Sequence, residues 1–212
     1  MRLKEVGVHF YFVGLIVLTL GIAFAVNSSL GTSPFDALLV GLFRTFGLTI
    51  GSWEIVVGLS MVLGNALLER KRPEYFALIT SLVTGIGIDS WLFVLNLFST
   101  PNTLIGKSIY LALSLVLSGL GIAIYLQSQV APNPMDRSML IVAKLTGMSV
   151  TYSRALINIA LVILALFFGG AIGIGTLINA LIAGAIIHYF LPMTTRMRER
   201  SLASLEEERE LS

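Results

Sequence analysis

Apolar stretches of about twenty residues recur through this sequence, at roughly 6–26, 51–69, 74–97, 105–127, 150–168 and 173–193. Each is long enough to cross the ~30 Å hydrocarbon layer of a membrane as a helix. In lipid, a helix satisfies its own backbone donors and acceptors, so such stretches have little other choice. The sequence therefore predicts an all-α, polytopic membrane bundle of six spanning helices. Composition supports this: 56% of residues are hydrophobic and only 12% are charged, against roughly a quarter charged in soluble domains. The 20 glycines are spread through the apolar runs, where they allow helices to approach closely. There are no cysteines, which excludes disulfides, thiolate chemistry and sulfur-ligated metals. His9 and His188 stand alone and form no zinc pattern, so neither a metal nor another cofactor is expected.

Two further helical stretches, 34–46 and 134–146, do not fit the six. Thirteen residues at 1.5 Å each reach only ~20 Å, short of the hydrocarbon thickness. They read as re-entrant or interfacial half-helices. Basic residues test this count. With the N-terminus in the cytoplasm, twelve of the fourteen Lys and Arg fall on inside segments, and only Arg44 and Lys107 fall outside. That bias is the positive-inside signature. It predicts a bacterial cytoplasmic (inner) membrane protein with both termini in the cytoplasm, and it explains a pI near 9.0 without any nucleic-acid partner. MRLKEVGVHFYFVG begins like a signal peptide but lacks a small-residue cleavage site, so it reads as an uncleaved first helix. The charged stretch 196–212 reads as a solvated tail, helical or disordered, whose first basic residues end the last helix at the membrane surface.

Shifted by 100 residues, the chain aligns with itself without gaps. Gly21, Ile22, Ala23, Ser28, Pro34, Asp36 and Gly47 coincide with Gly121, Ile122, Ala123, Ser128, Pro134, Asp136 and Gly147. A shift of 99 then sets Gly85 over Gly184 and Asp89 over His188. Residues 1–100 and 101–195 each read as span, short helix, span, span. Three spans per half force the halves into opposite orientations, an inverted-topology repeat. Many transporters share that plan, with a site near the midplane where broken helices meet.

The stretch LGTSPFDALLVGLFRTFGLTIGSWEIVVGL resembles the YczE/YyaS/YitT family of bacterial integral membrane proteins, its YczE branch in particular. LGTSPFD followed by GLTIGSW is the most specific part, and the resemblance covers nearly the whole chain outside the charged tail. It implies a multi-pass inner-membrane protein and bears on class and location rather than on mechanism.

The candidate site lies at the two short helices. Ser33-Pro34-Phe35-Asp36 is a helix start, with Ser33 as N-cap, Pro34 in the first turn and Asp36 at the third position. Asn133-Pro134-Met135-Asp136 repeats it. One reading is capping alone. The other is that both helix starts open onto a shared polar pocket, where Ser33, Pro34, Asp36, Asn133, Pro134 and Asp136 bind a cation, a proton or a solute's amine. Asp89, inside the third span, joins the list because a carboxylate in lipid usually faces a cavity or a partner. With His188 it could move protons, or both could simply meet headgroups near helix ends. Glu54 and Arg154 occupy equivalent repeat positions; they could pair across the pseudo-axis if both faced inward, but the topology sets them near opposite surfaces, and snorkelling to those interfaces is the expected account. Asn65, Asn96, Asn158, Asn179, Thr80, Thr84 and Thr176 are expected to form interhelical hydrogen bonds.

These features predict a small-solute secondary transporter or channel with a central site. No nucleotide-binding loop is visible, so energy would come from a gradient or not at all. The alternative is a non-transporting membrane partner, either the substrate-binding component of an energised transporter or an accessory factor for another membrane enzyme. No nucleophile–base pair or metal-ligand set argues for an enzyme. The expected partners are the bilayer and an unidentified small solute or ion; assembly into a homo-oligomer is left open.

Overall fold

The computed structural model describes residues 2–98, 100–130 and 133–210, with the side chains of 2–5 and 205–210 outside the description. The side chains of Arg2, Lys4 and Arg209, and the last two residues of the charged tail, therefore lie outside the described residues. The elements are α1 (Arg2–Ser28), α2 (Pro34–Phe46), α3 (Ile50–Glu69), α4 (Tyr75–Phe98), α5 (Leu104–Leu126), α6 (Pro134–Thr146), α7 (Val150–Phe167) and α8 (Ile174–Glu210). No strand occurs among the described residues. All but α2 and α6 are long and apolar enough to cross a membrane. The order long, short, long, long thus occurs twice.

Glycines determine how α1 and α5 cross. Gly14 lies against the backbone of Tyr125, Gly21 against Ser118, and Gly121 against Leu18, so closely that a Cβ at any of them would enter its neighbour. As numbers rise along α1 they fall along α5, so the two helices run antiparallel. Shifting either the Gly21–Ser118 or the Leu18–Gly121 contact by 100 residues exchanges the partners. Small residues at such crossings let backbones touch, which is how helices associate in lipid.

The short helices differ in how they are held. PFDALLVGLF in α2 is apolar on both sides and is enclosed. Leu39 and Val40 pack with Ile22, Ile50 and Ile88, while Leu38 and Leu42 pack against Leu161 and Ala165 of α7. In α6 the sequence PMDRSMLIVAKLT carries Arg137, Ser138 and Lys144, and only Pro134 and Ile141 are buried. The long helices are also unequal. α3 and α4 pack along one another, joined by a turn in which Arg70 is left-handed (φ 54°) and Lys71 N donates to Ala66 O at 3.0 Å. Among the described residues, no comparable packing joins α7 to α8.

One expectation is overturned. The basic residues after Pro192 do not end the last helix, for α8 continues through Pro192 to Glu210. Arg, Glu, Leu, Ala and Met dominate this extension, and all are strong helix formers. Charge ends a helix's solubility in lipid without ending its helicity.

Candidate functional site

Local sequence starts both short helices. Ser33 Oγ accepts from Asp36 N at 3.2 Å and donates to the Asp36 carboxylate at 2.6 Å. Asn133 Oδ1 accepts from Met135 N at 2.9 Å. Pro34 and Pro134 fill first-turn positions, where no amide hydrogen is needed. The capping expected at Ser33-Pro34 and Asn133-Pro134 is therefore present.

The link leading into α2 is pinned from outside its own half. Thr32 N donates to Ala171 O at 3.0 Å, and Gly175 N donates to Leu30 O at 2.8 Å. Gly31 takes φ +114° there and lies against Gly173 and Thr176, a conformation and a closeness that only glycine tolerates. The turn between α7 and α8 thus fixes where α2 begins.

A cavity of about 300 Å³ lies between the two helix starts. Ser33, Pro34 and Asp36 line it from one half, and Asn133 and Asp136 from the other. Leu18 and Ile22 of α1 and Gly119 and Ile122 of α5 supply apolar wall. Pro134 faces elsewhere. Its carbonyl accepts from Asn65 Nδ2 at 3.2 Å, and it borders a smaller cleft of about 30 Å³ beside Glu69 and Arg137.

Asp89 is not brought to this cavity. Its carboxylate accepts from Thr49 Oγ1 at 2.6 Å and from Gly51 N at 2.8 Å, at the start of α3. His188 is exposed on α8. An Asp89–His188 proton pair therefore has no support in the geometry, because Asp89 serves as a cap supplied by a neighbouring helix.

Two side chains expected at the interfaces belong to the cavity instead. Glu54 is only 3% exposed and lines it together with Asp36. Arg154 also lines it and reaches Asp136, with Nη2 3.8 Å from Oδ1, while half of its side chain stays exposed. The sequence signal was their equivalence in the repeat. Depth was misjudged because the neighbours of a helix, not its own end, decide how deep its first turn lies.

The expected hydrogen-bonding residues divide in the same way. Thr80 pairs with the Tyr11 hydroxyl at 2.8 Å, and Thr176 Oγ1 accepts from Gly173 N at 3.2 Å. Thr84, Asn158 and Asn179 line the cavity. Thr84 Oγ1 and Asn158 Oδ1 are buried there with no hydrogen-bond partner among the described residues.

The far ends of the short helices are bound to different groups. Near the end of α2, Arg44 Nη1 donates to Gly169 O at 2.8 Å and Thr45 Oγ1 to Phe168 O at 3.0 Å. On α6, Arg137 Nη2 meets Glu69 at 2.7 Å and Glu74 at 3.1 Å, and Lys144 Nζ lies 3.5 Å from Glu69. Phe46 precedes the start of α3, whereas Glu69 is its last residue. The two short helices therefore run from a common cavity towards opposite ends of the bundle.

Residues 6–192 match the profile of a family described as "Family of unknown function (DUF6198)". The chain belongs to this family. Its match ends at Pro192 and so takes in both short helices and the whole cavity. The chain is 46% identical over 187 residues to the uncharacterized protein YyaS of Bacillus subtilis (strain 168), covering 88% of this chain and 93% of that one. It is 33% identical over 195 residues to the uncharacterized membrane protein YczE of the same organism, covering 92% and 89%. An uncharacterized protein of Haemophilus influenzae is 25% identical over 184 residues, covering 86% and 82%. The resemblance to the YczE/YyaS group therefore holds, with YyaS the more similar of the two Bacillus proteins. No solved structure matches the chain.

Proposed function

We propose that this membrane protein is a secondary transporter or channel for a small solute, acting in the bacterial cytoplasmic membrane with both termini in the cytoplasm. One observation carries the reading: two half-helices that run to opposite ends of the bundle begin at one cavity lined by the buried carboxylates of Asp36 and Glu54. In lipid each unpaired backbone group costs several kcal/mol, so helix starts at depth are kept only where protein or a water-filled cavity serves them. A bundle without a central task could bury leucine there instead.

An inverted arrangement of the halves is part of this reading. It is supported by the antiparallel crossing of α1 and α5, by contacts that exchange under the 100-residue shift, and by the charge bias. The cavity would open to one side and then the other around a fixed site. The Ser33 hydroxyl and the Asp36 carboxylate in its wall are engaged in the cap of α2, and we read the protein as non-enzymatic.

The absence of native cysteine makes single-cysteine labelling clean. In intact cells, an impermeant maleimide is expected to label Phe46→Cys, and to label Leu145→Cys only after permeabilisation. Labelling of both from the same side would overturn the inverted arrangement. In proteoliposomes, a panel of small cationic, neutral and anionic solutes is expected to include at least one whose flux falls more than tenfold in Asp36→Asn. No flux across the panel would overturn the transport reading.

A further inference from the structure

The charges around the cavity do not cancel, and the imbalance bears on what it accepts; this inference rests on the central-site reading above. Helix N-termini by themselves attract anions. Here that attraction is reduced, to one first-turn amide at each start, that of Phe35 and that of Asp136. Each short helix begins at proline, which has no amide hydrogen, and the side chains of Ser33 and Asn133 take the Asp36 and Met135 amides. A carboxylate at the third position of each helix then offsets the positive end. Among the described residues, Arg154 is the one basic side chain in the wall, and it lies beside Asp136. Asp36 and Glu54 remain, 7% and 3% exposed, with no basic partner among the described residues.

The rest of the polar wall is mixed, with donors on Ser118, Asn133 and Asn179. Two of its groups lack partners among the described residues: the hydroxyl of Thr84, 3% exposed, which can accept or donate, and the carbonyl oxygen of Asn158. Unpaired acceptors at this depth are costly unless something donates to them. A bare metal ion suits the wall poorly, because no three carboxylates or imidazoles among the described residues lie close enough together to hold one. The volume, about 300 Å³, is at the small end of pockets for organic molecules. An ammonium group brings one positive charge and several N–H donors, and the apolar wall from α1 and α5 suits a short hydrocarbon attached to it. From these features we infer that the cavity binds a small organic ammonium, its nitrogen held between Glu54 and Asp36 and its carbon chain against Ile22 and Ile122.

An isosteric series tests this on the full chain purified in a non-ionic detergent. Thermal unfolding is followed with n-butylammonium, butyramide and butyrate as probes, each against potassium chloride of equal ionic strength. The expected result is a saturable rise in melting temperature with n-butylammonium alone. Glu54→Gln and Asp36→Asn should each weaken its apparent affinity at least tenfold, while Glu199→Gln on the exposed extension leaves it unchanged. If one variant fails to fold, the other and the wild-type series still decide the question. Equal or tighter binding of butyrate or butyramide, a response of the wild type to none of the three, or wild-type affinity in a folded Glu54→Gln protein would each overturn the ammonium assignment. The transport reading fails separately, when no solute crosses proteoliposomes. Ammonium binding without flux would sustain this inference and remove that one.

Discussion

Asp36, Asp136 and Asp89 are three carboxylates in an apolar bundle, and each meets the cost of its position differently. An ionisable side chain at the centre of a membrane helix costs at least ~2.5–3.5 kcal/mol on insertion scales, so each needs a partner. Asp36 takes the hydroxyl of its own cap, Ser33. Asp136 occupies the same place in the other short helix but takes Arg154, while the side-chain oxygen of its cap Asn133 accepts from Met135 N. Serine can both accept from the helix and donate to the acid. Asparagine accepts through its oxygen and would need its separate amide nitrogen to donate, so one atom cannot serve both the helix and the acid, and Asp136 meets a cation instead. Asp89 spends both its oxygens on the start of α3. Asparagine there keeps the shape but loses the charge, and it turns one acceptor into a donor facing the Gly51 amide or the Thr49 hydroxyl. Hydrogen bonds to a charged group contribute about 1.5–3 kcal/mol. Asp89→Asn is therefore expected to destabilise the protein by about 1–3 kcal/mol in denaturant unfolding, with ammonium affinity unchanged. Lost affinity with unchanged stability would return Asp89 to the cavity wall.

Among the elements, close contact between helices sets what a substitution does, and two glycines make the point. Gly121 in α5 lies against the backbone of Leu18, whereas Gly64 in α3 has open space around it. Alanine favours a helix interior over glycine by about 0.5–1 kcal/mol. Gly64→Ala is expected to be neutral or slightly stabilising. Gly121→Ala must push α1 and α5 apart and is expected to be destabilising, as thermal unfolding of the two variants side by side will show. The same contrast explains what could be read from sequence. The starts of α2 and α6 were legible because a cap, a proline and an acid act within four residues, and those helices lie where SPFD and NPMD place them. The six long helices were legible from apolar length. Glu54 was not, because α2 and the cavity decide its burial and both come from distant contacts. The course of α8 past Pro192 was misread for another reason: the basic residues signal a membrane boundary, and helix propensity is a separate property of the same residues.

At the scale of the whole molecule, the two ends of the bundle are closed by different physics. At one end the enclosed α2 is fixed by bonds from Arg44 and Thr45 to backbone carbonyls, and Gly41 and Gly170 bring α2 against the α7–α8 turn. At the other, the half-exposed α6 is tied to the end of α3 and the turn after it through Glu69, which gathers Arg137, Lys144 and Lys71, with Glu74 adding to Arg137. Lys71 and Lys144 are largely exposed, so their share is weak and screened by salt. Arg137–Glu69 is the shorter and less exposed contact. Loosening α6 breaks side-chain ion pairs, whereas loosening α2 would uncover an apolar helix and its close-packed backbone. The Glu69 end should therefore be the easier to open. A cysteine at Asn179, which lines the cavity, reports on this in sealed vesicles of either orientation. An impermeant thiol reagent is expected to react faster from the Glu69 side. Adding Glu69→Gln should raise that rate several-fold and leave the opposite face unchanged, and high salt in the Glu69-containing protein should reproduce part of the effect. If Glu69→Gln leaves both rates alone, or speeds the α2 side instead, the ion cluster is not the closure and α6 is not the element that moves.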